Sequence, residues 1–349
     1  MKLSSATTQT LFGAALAVLL LWLFFRGTDV AAIKQSLASA RPALVAGAVL
    51  MTLLTHLWRA VRWKVLLAPI GRASLWNCFS MTIIGFMVNF LVPPGRLGEI
   101  ARPYLLARKE GFSASSAFAT IFLERILDLI SVVLLIGVWL LVAELPSTSE
   151  EVMLGLKTGG LVGFAGAAGV LGVMFMFARD PERARRWYGR IFRILPAKLE
   201  AKATRFAETF TAGLAVLVDA ASFLKAIVLS LCVWVSIAAA FYLGASALGV
   251  DYPFGDTFLV IGFLTIGVAV PTPGAVGGYH YMAALALTQL FGVESSVASA
   301  VALVNHAIAY VPVTLIGIFL FPSSGGSFRQ LKTISSESEP VNRKKDEQE

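Results

Sequence analysis

The feature that most limits what this chain can become is an interruption in its apolar sequence. Residues 73–95 carry no charge, and the run ends in Pro93-Pro94-Gly95, after which Arg96 and Glu99 follow at once. A proline ring cannot continue a helix and glycine leaves the backbone free, so a helix should stop there and a new one begin near Gly95. Broken helices at membrane depth are tolerated only where protein buries them or where they line a wet cavity. The break therefore marks a candidate binding site, and the rest of the chain can be read around it.

Composition places that break inside a membrane. Hydrophobic residues make up 57% of the 349 and charged residues only 14%, against about 25% charged in soluble domains. The expected fold class is an all-α polytopic membrane protein, with no room for a soluble catalytic domain. The net charge of +8 then reads as cytoplasmic loops and anionic headgroups, and no nucleic-acid partner is expected. Cys78 and Cys232 both lie in apolar runs, with no disulfide framework and no metal-ligand spacing. No cofactor is expected. The first apolar run has no small-x-small site directly after it, so it reads as an uncleaved helix.

A span needs roughly 20 mainly apolar residues. About six full spans are expected, at 10–25, 43–67, 114–142, 152–178, 221–250 and 295–321. Two hairpins, at 73–109 and 254–293, are each interrupted by proline and glycine. The chain divides into a first helix with its outer loop (1–42), one repeat (43–145), a connecting span with a basic segment (146–220), a second repeat (221–322) and a charged tail (323–349) that should be disordered.

The two repeats share a pattern. Val92 to Gly98 and Pro271 to Gly277 both read x-x-Pro-Gly-x-x-Gly, with Gly95 and Gly274 separated by 179 positions. Setting Ala117 on Ala298 aligns Phe112 to Ala117 with Val293 to Ala298 at an offset of 181. Chance recurrence of Pro-Gly is the alternative. Charge bears on the topology independently. The segment with Arg179, Arg183, Arg185, Arg186, Arg190 and Arg193 should be cytoplasmic, which puts both termini inside a cytoplasmic (inner) membrane. The outer loop with Arg26, Lys34 and Arg41 goes against this rule. By parity the first hairpin enters from the cytoplasm and the second from outside, so the repeats should be inverted, with a re-entrant hairpin in each. Inverted repeats with broken helices are the architecture of secondary transporters.

Glu124 lies roughly 15 Å into its span at 1.5 Å per residue, where isolated charge is costly. Glu124 and Asp128 share a helix face, and Arg125 can pair with Asp128. A buried ion-pair network that only locks helices is one reading; a substrate or proton site is the other. The aligned positions in the second half are Asn305 and His306. Arg96, Glu99 and Arg102 follow the first break, and a helix beginning there points free N–H groups at the midplane, suiting an anion. Gly95, Gly98, Gly274, Gly277 and Gly278 permit close approach of backbone or ligand, and Tyr279 and His280 could line the second tip. For Arg102, snorkelling to the surface competes with ligation. Arg59 and Arg62, beside Trp58 and Trp63, read as interfacial anchors. In the basic segment, Trp187, Ile191 and Leu195 at helical spacing suggest a helix lying on anionic lipid, with a solvated linker as the alternative.

The stretches NFLVPPGRLGEIARPYLL, FLERILD and VPTPGAVGGYH resemble the lysylphosphatidylglycerol synthase transmembrane-region family, also called flippase-like, across residues 43–321. In bifunctional relatives this membrane part is similar to a lipid flippase, and a separate C-terminal domain makes the aminoacylated lipid. The tail after Phe321 is too short for that domain, so synthase activity is not expected. Stand-alone members are associated with glycolipid, polyprenyl-lipid or hopanoid pathways. The resemblance implies translocation of a membrane lipid, with a lipid-biosynthetic or glycosyltransferase partner conceivable, and leaves the lipid, the transport direction and the oligomeric state open. An intramembrane enzyme acting on a headgroup, drawing on His56, His280 and His306, and an accessory subunit are the rival readings.

Overall fold

The structure is a computed structural model and describes residues 5–26, 29–91, 97–140, 150–270 and 272–322. Among the described residues every regular element is a helix. A helix stands at each of the six expected positions: α1 (Ser5–Phe25), α3 (Pro42–Leu67), α6 (Ala114–Leu140), α7 (Glu150–Arg179), α10 (Ala220–Ala247) and α13 (Ser295–Leu320). Among the described residues α3, α7, α10 and α13 are long and apolar enough to cross a membrane, and α1 with the short helix after it makes a fifth if the bent pair is one span. A short helix, α2 (Val30–Ala38), follows α1. The hairpins are α4 (Leu75–Leu91) with α5 (Leu97–Glu110), and α11 (Thr257–Ala269) with α12 (Gly278–Phe291). The basic segment forms two helices, α8 (Pro181–Phe192) and α9 (Ala197–Gly213), where one was expected. Gly95 and Arg96 lie outside the described residues.

The helix ends follow local chemistry. Asp219 accepts the Ser222 N–H at 3.1 Å to start α10, and Glu294 accepts the N–H groups of Ser296 and Val297 at 2.9 and 3.1 Å to start α13. Arg41 explains part of the charge in the outer loop: its guanidinium donates to the Ser246 carbonyl at 2.7 Å and its backbone N–H to Ala247 at 2.9 Å. A cation at the C-terminus of α10 is favoured there by the helix dipole.

Each hairpin closes on a pair of glycines. A side chain at Gly98 would collide with the Gly85 carbonyl, and one at Gly278 would collide with the Gly267 carbonyl. Close backbone approach of this kind is available only without a Cβ. The register differs by one from the motif alignment, since Gly278, not Gly277, takes the place that Gly98 holds.

The two halves pack reciprocally. Between α3 and α10, Arg41 meets Ala247, Gly47 meets Leu243 and Arg62 meets Ser230, so these helices run antiparallel. The arm α4 lies antiparallel to α13, with Phe90 against Tyr310 and Met87 against Gly317. Likewise α11 lies antiparallel to α6, with Gly262 against Ile136 and, in the turn just before α11, Gly255 against Trp139. Each hairpin has its own apolar core. One is built on Trp63, Ile83, Ile84, Met87 and Leu106, the other on Val260, Ala283, Leu287 and Val301. The inner ends of the hairpins meet, because Gly274 sits against the Phe90 carbonyl.

Candidate functional site

The charges flagged in the sequence gather where α3, α5 and α6 meet. Asp128 of α6 receives Arg62 at 2.7 Å, Arg59 at 3.1 Å and Arg125 at 3.3 Å. Glu124, one turn away and wholly buried, receives Arg102 at 2.8 Å and lies 3.7 Å from the Arg62 Nε. Glu99 of α5 approaches Arg125 at 3.8 Å. Four guanidinium groups therefore face three carboxylates, a surplus of one positive charge among the described residues.

Arg59 and Arg62 correct the expectation from sequence. They are buried ligands of the network, 7% and 0% exposed, and not interfacial anchors. Their spacing of one turn on α3 mirrors that of Glu124 and Asp128 on α6, and this complementarity was the signal available in the sequence. Arg102 does not snorkel. It is 4% exposed, bidentate to Glu124, and stacks with its guanidinium 3.8 Å from the centre of the Trp63 ring. Trp63 is held in turn by an indole N–H bond to Thr120 at 2.9 Å. Ser230 of α10 accepts from Arg62 at 2.8 Å, tying the network to the other half.

A small cleft, with room for about one water molecule as the helices stand, lies beside these groups and is lined by Arg102, Glu99 and Arg125 and by Gly85, Phe86 and Asn89 of α4. Asn89 accepts the Gly98 N–H at 2.7 Å, satisfying one free donor at the start of α5. Sequence reasoning missed Asn89, Trp63 and Ser230, which are ordinary polar or aromatic residues until the helices are placed. The Nε atoms of Arg102 and Arg125 and the Nη2 of Arg62 have no hydrogen-bond partner. Buried donors are normally satisfied.

The second break builds a different environment. Gly274 and Gly277 have φ of 59° and 88°. His306 donates from Nε2 to the Gly274 carbonyl at 3.0 Å, and His280 Nδ1 accepts the Gly277 N–H at 3.3 Å. The two rings lie 4.4 Å apart, with Tyr279 and Tyr310 against His306. This tip is aromatic and uncharged. Asn305 stands apart from it, packed on Gly244 of α10 and donating to the Val301 carbonyl at 3.1 Å. The structure thus brings His306 to the tip with Tyr279 and His280 and leaves Asn305 in a helix interface. Among the described residues no group of histidine, cysteine and carboxylate side chains could hold a metal.

Comparison with known proteins gives a family. A family model described as "Lysylphosphatidylglycerol synthase TM region" matches residues 10–317. The glycosyltransferase AglD of Haloferax volcanii is 26% identical over 331 residues, covering 87% of this chain and 52% of that protein, so the chain matches only about half of this relative's length. A UPF0104 membrane protein of Methanothermobacter thermautotrophicus is 24% identical over 322 residues, 84% of this chain and 89% of its own. A UPF0104 membrane protein of Methanocaldococcus jannaschii is 31% identical over 98 residues, 28% of this chain and 29% of its own.

Proposed function

The chain belongs to the lysylphosphatidylglycerol synthase transmembrane-region family and is a multi-pass membrane protein, and on that premise we propose that it carries an anionic or zwitterionic lipid across the cytoplasmic membrane by alternating access. The observation that carries this reading is the charged cleft between α4, α5 and α6. It has a surplus guanidinium and unpartnered donors, at a depth where charge without a ligand is costly. Arg102 and Arg125, with Arg96 and Gly95 at the adjoining break, bind the phosphate. Glu124 and Asp128 hold the arginines in place, and Gly98 brings α5 close enough to α4 to form the wall.

The antiparallel packing of α3 and α10, with the reciprocal pairing of each hairpin against the last span of the other half, supports an inverted repeat. On that arrangement the hairpins enter from opposite faces, and rocking of one half against the other exposes the cleft alternately. The tip formed by Gly274, Gly277, Gly278, Tyr279, His280 and His306 carries no charged side chain, and with Tyr279 and His280 buried it serves as the packed counterpart of the charged cleft. The Haloferax relative is named a glycosyltransferase, which favours a setting in which the transported lipid serves glycosyl transfer.

Translocation of a fluorescent anionic lipid in proteoliposomes tests the proposal. Arg96→Ala should abolish it while the protein still folds, Glu124→Ala should abolish it with a loss of stability, and full activity in both would refute the site. Headgroup analysis of the same lipids separates transport from enzymatic modification: a relocated but unaltered lipid is expected, and an altered headgroup would favour an intramembrane enzyme.

A further inference from the structure

Arg125 and Glu99 occupy an unusual position. Their side chains are 33% and 28% exposed, and their mutual contact of 3.8 Å is the longest in the network. Arg125 lies eleven residues from the start of α6, roughly 16 Å along the helix at 1.5 Å per residue. The residues flanking it on the helix surface are Phe122 and Leu129, 42% and 40% exposed, and across the seam Ile100 of α5 is 42% exposed. Phe122 also meets the Phe210 ring of α9, so this is an exposed apolar stripe beside the α6–α9 contact with a half-open ion pair set into it. Charges so placed are costly unless a polar group from the bilayer meets them.

Resting on the transport reading above, we propose that the cleft takes its ligand sideways from the bilayer, through the seam between α5 and α6. Glu99 then acts as a displaceable counter-ion, holding Arg125 until the phosphate of a lipid headgroup replaces it. The geometry suits that exchange. Arg125 keeps Asp128 at 3.3 Å when Glu99 leaves, so it is never stranded, and its Nε, like that of Arg102 behind it, has no other partner. The lipid's chains then lie on Ile100, Phe122 and Leu129 while its headgroup reaches Arg102. Glu99 sets specificity as well, because a carboxylate at the entrance competes with an anion and releases it again after transit.

The full-length protein in phosphatidylcholine nanodiscs, with phosphatidylglycerol bearing a photoreactive group in its acyl chain, tests this by mass-spectrometric mapping of the labelled residues. Labelling is expected on α5 around Ile100 and on α6 between Phe122 and Leu129. It should be lost in Arg125→Gln, increased in Glu99→Gln, and unaffected by added inorganic phosphate. Labelling spread evenly over other lipid-facing helices, or unchanged in Glu99→Gln, would overturn the proposal. Competition by inorganic phosphate would show that the cleft opens to water and would overturn the lateral route. Glu99→Gln keeps the test decisive if Arg125→Gln fails to fold. If the labelling pattern holds but proteoliposomes move no lipid, the transport reading fails and the lateral site stands.

Discussion

Replacing Arg102 with leucine should cost more stability than replacing Arg59, its neighbour in the network. Glu124 has two cationic neighbours, Arg102 at 2.8 Å and Arg62 at 3.7 Å. Asp128 has three, at 2.7, 3.1 and 3.3 Å. Removing one partner of a buried pair costs about 3–5 kcal/mol, because a buried charge is left uncompensated. Arg102→Leu leaves Glu124 with one long contact and belongs at the top of that range. Arg59→Leu leaves Asp128 between two guanidinium groups and belongs at or below its lower end. Replacing both partners of a buried pair with apolar side chains is often neutral, so Arg102→Leu with Glu124→Leu should be more stable than Arg102→Leu alone. The double variant should still fall short of wild type by about 1–2 kcal/mol, the contribution of a desolvated guanidinium stacked on tryptophan. Equilibrium unfolding in mixed micelles, run as a double-mutant cycle, gives the coupling directly. The reasoning is refuted if Arg59→Leu costs as much as Arg102→Leu, or if the double variant is the least stable of the set.

Gly98→Ala should destabilise the first hairpin and abolish transport, since the new methyl meets the Gly85 carbonyl; Gly278→Ala should do the same in the second hairpin against Gly267, and thermal unfolding of both variants checks this. At Glu294, hydrogen bonds from Ser296 and Val297 hold the carboxyl below its ordinary range. A carboxyl depressed on folding stabilises fully above its unfolded value of about 4.5 and loses that contribution as pH falls through the lowered value. The stability difference between wild type and Glu294→Gln should therefore be constant near neutrality and shrink in acid, and a difference that grows in acid would contradict the cap.

Much of the helical plan was legible because span length and charge avoidance are imposed by the bilayer itself. The positions of the long helices and of the two interrupted helix pairs follow from runs such as 257–293, which lacks any Asp, Glu, Lys or Arg. The partners of Glu124 were not legible. Arg59 and Arg62 stand beside Trp58 and Trp63 near the end of a span, a pattern that usually marks an interface, and only the placement of α3 against α6 shows them buried. Asn305 and His306 are neighbours in sequence, but on a helix adjacent residues point about 100° apart, so one faces α10 and the other the hairpin tip. Sequence symmetry could not show that the charged network belongs to one half alone. The register of the glycine crossing was likewise hidden, because Gly277 and Gly278 are adjacent and backbone geometry chooses between them.

The most direct test of the account is the sidedness of the hairpin mouths. In a chain whose two native cysteines are replaced by alanine, single cysteines at Glu110 and Gly292 can be probed with a membrane-impermeant thiol reagent in sealed, oriented vesicles. The account predicts labelling of Glu110→Cys only from the cytoplasmic face and of Gly292→Cys only from the opposite face. Labelling of both from the same face would contradict it.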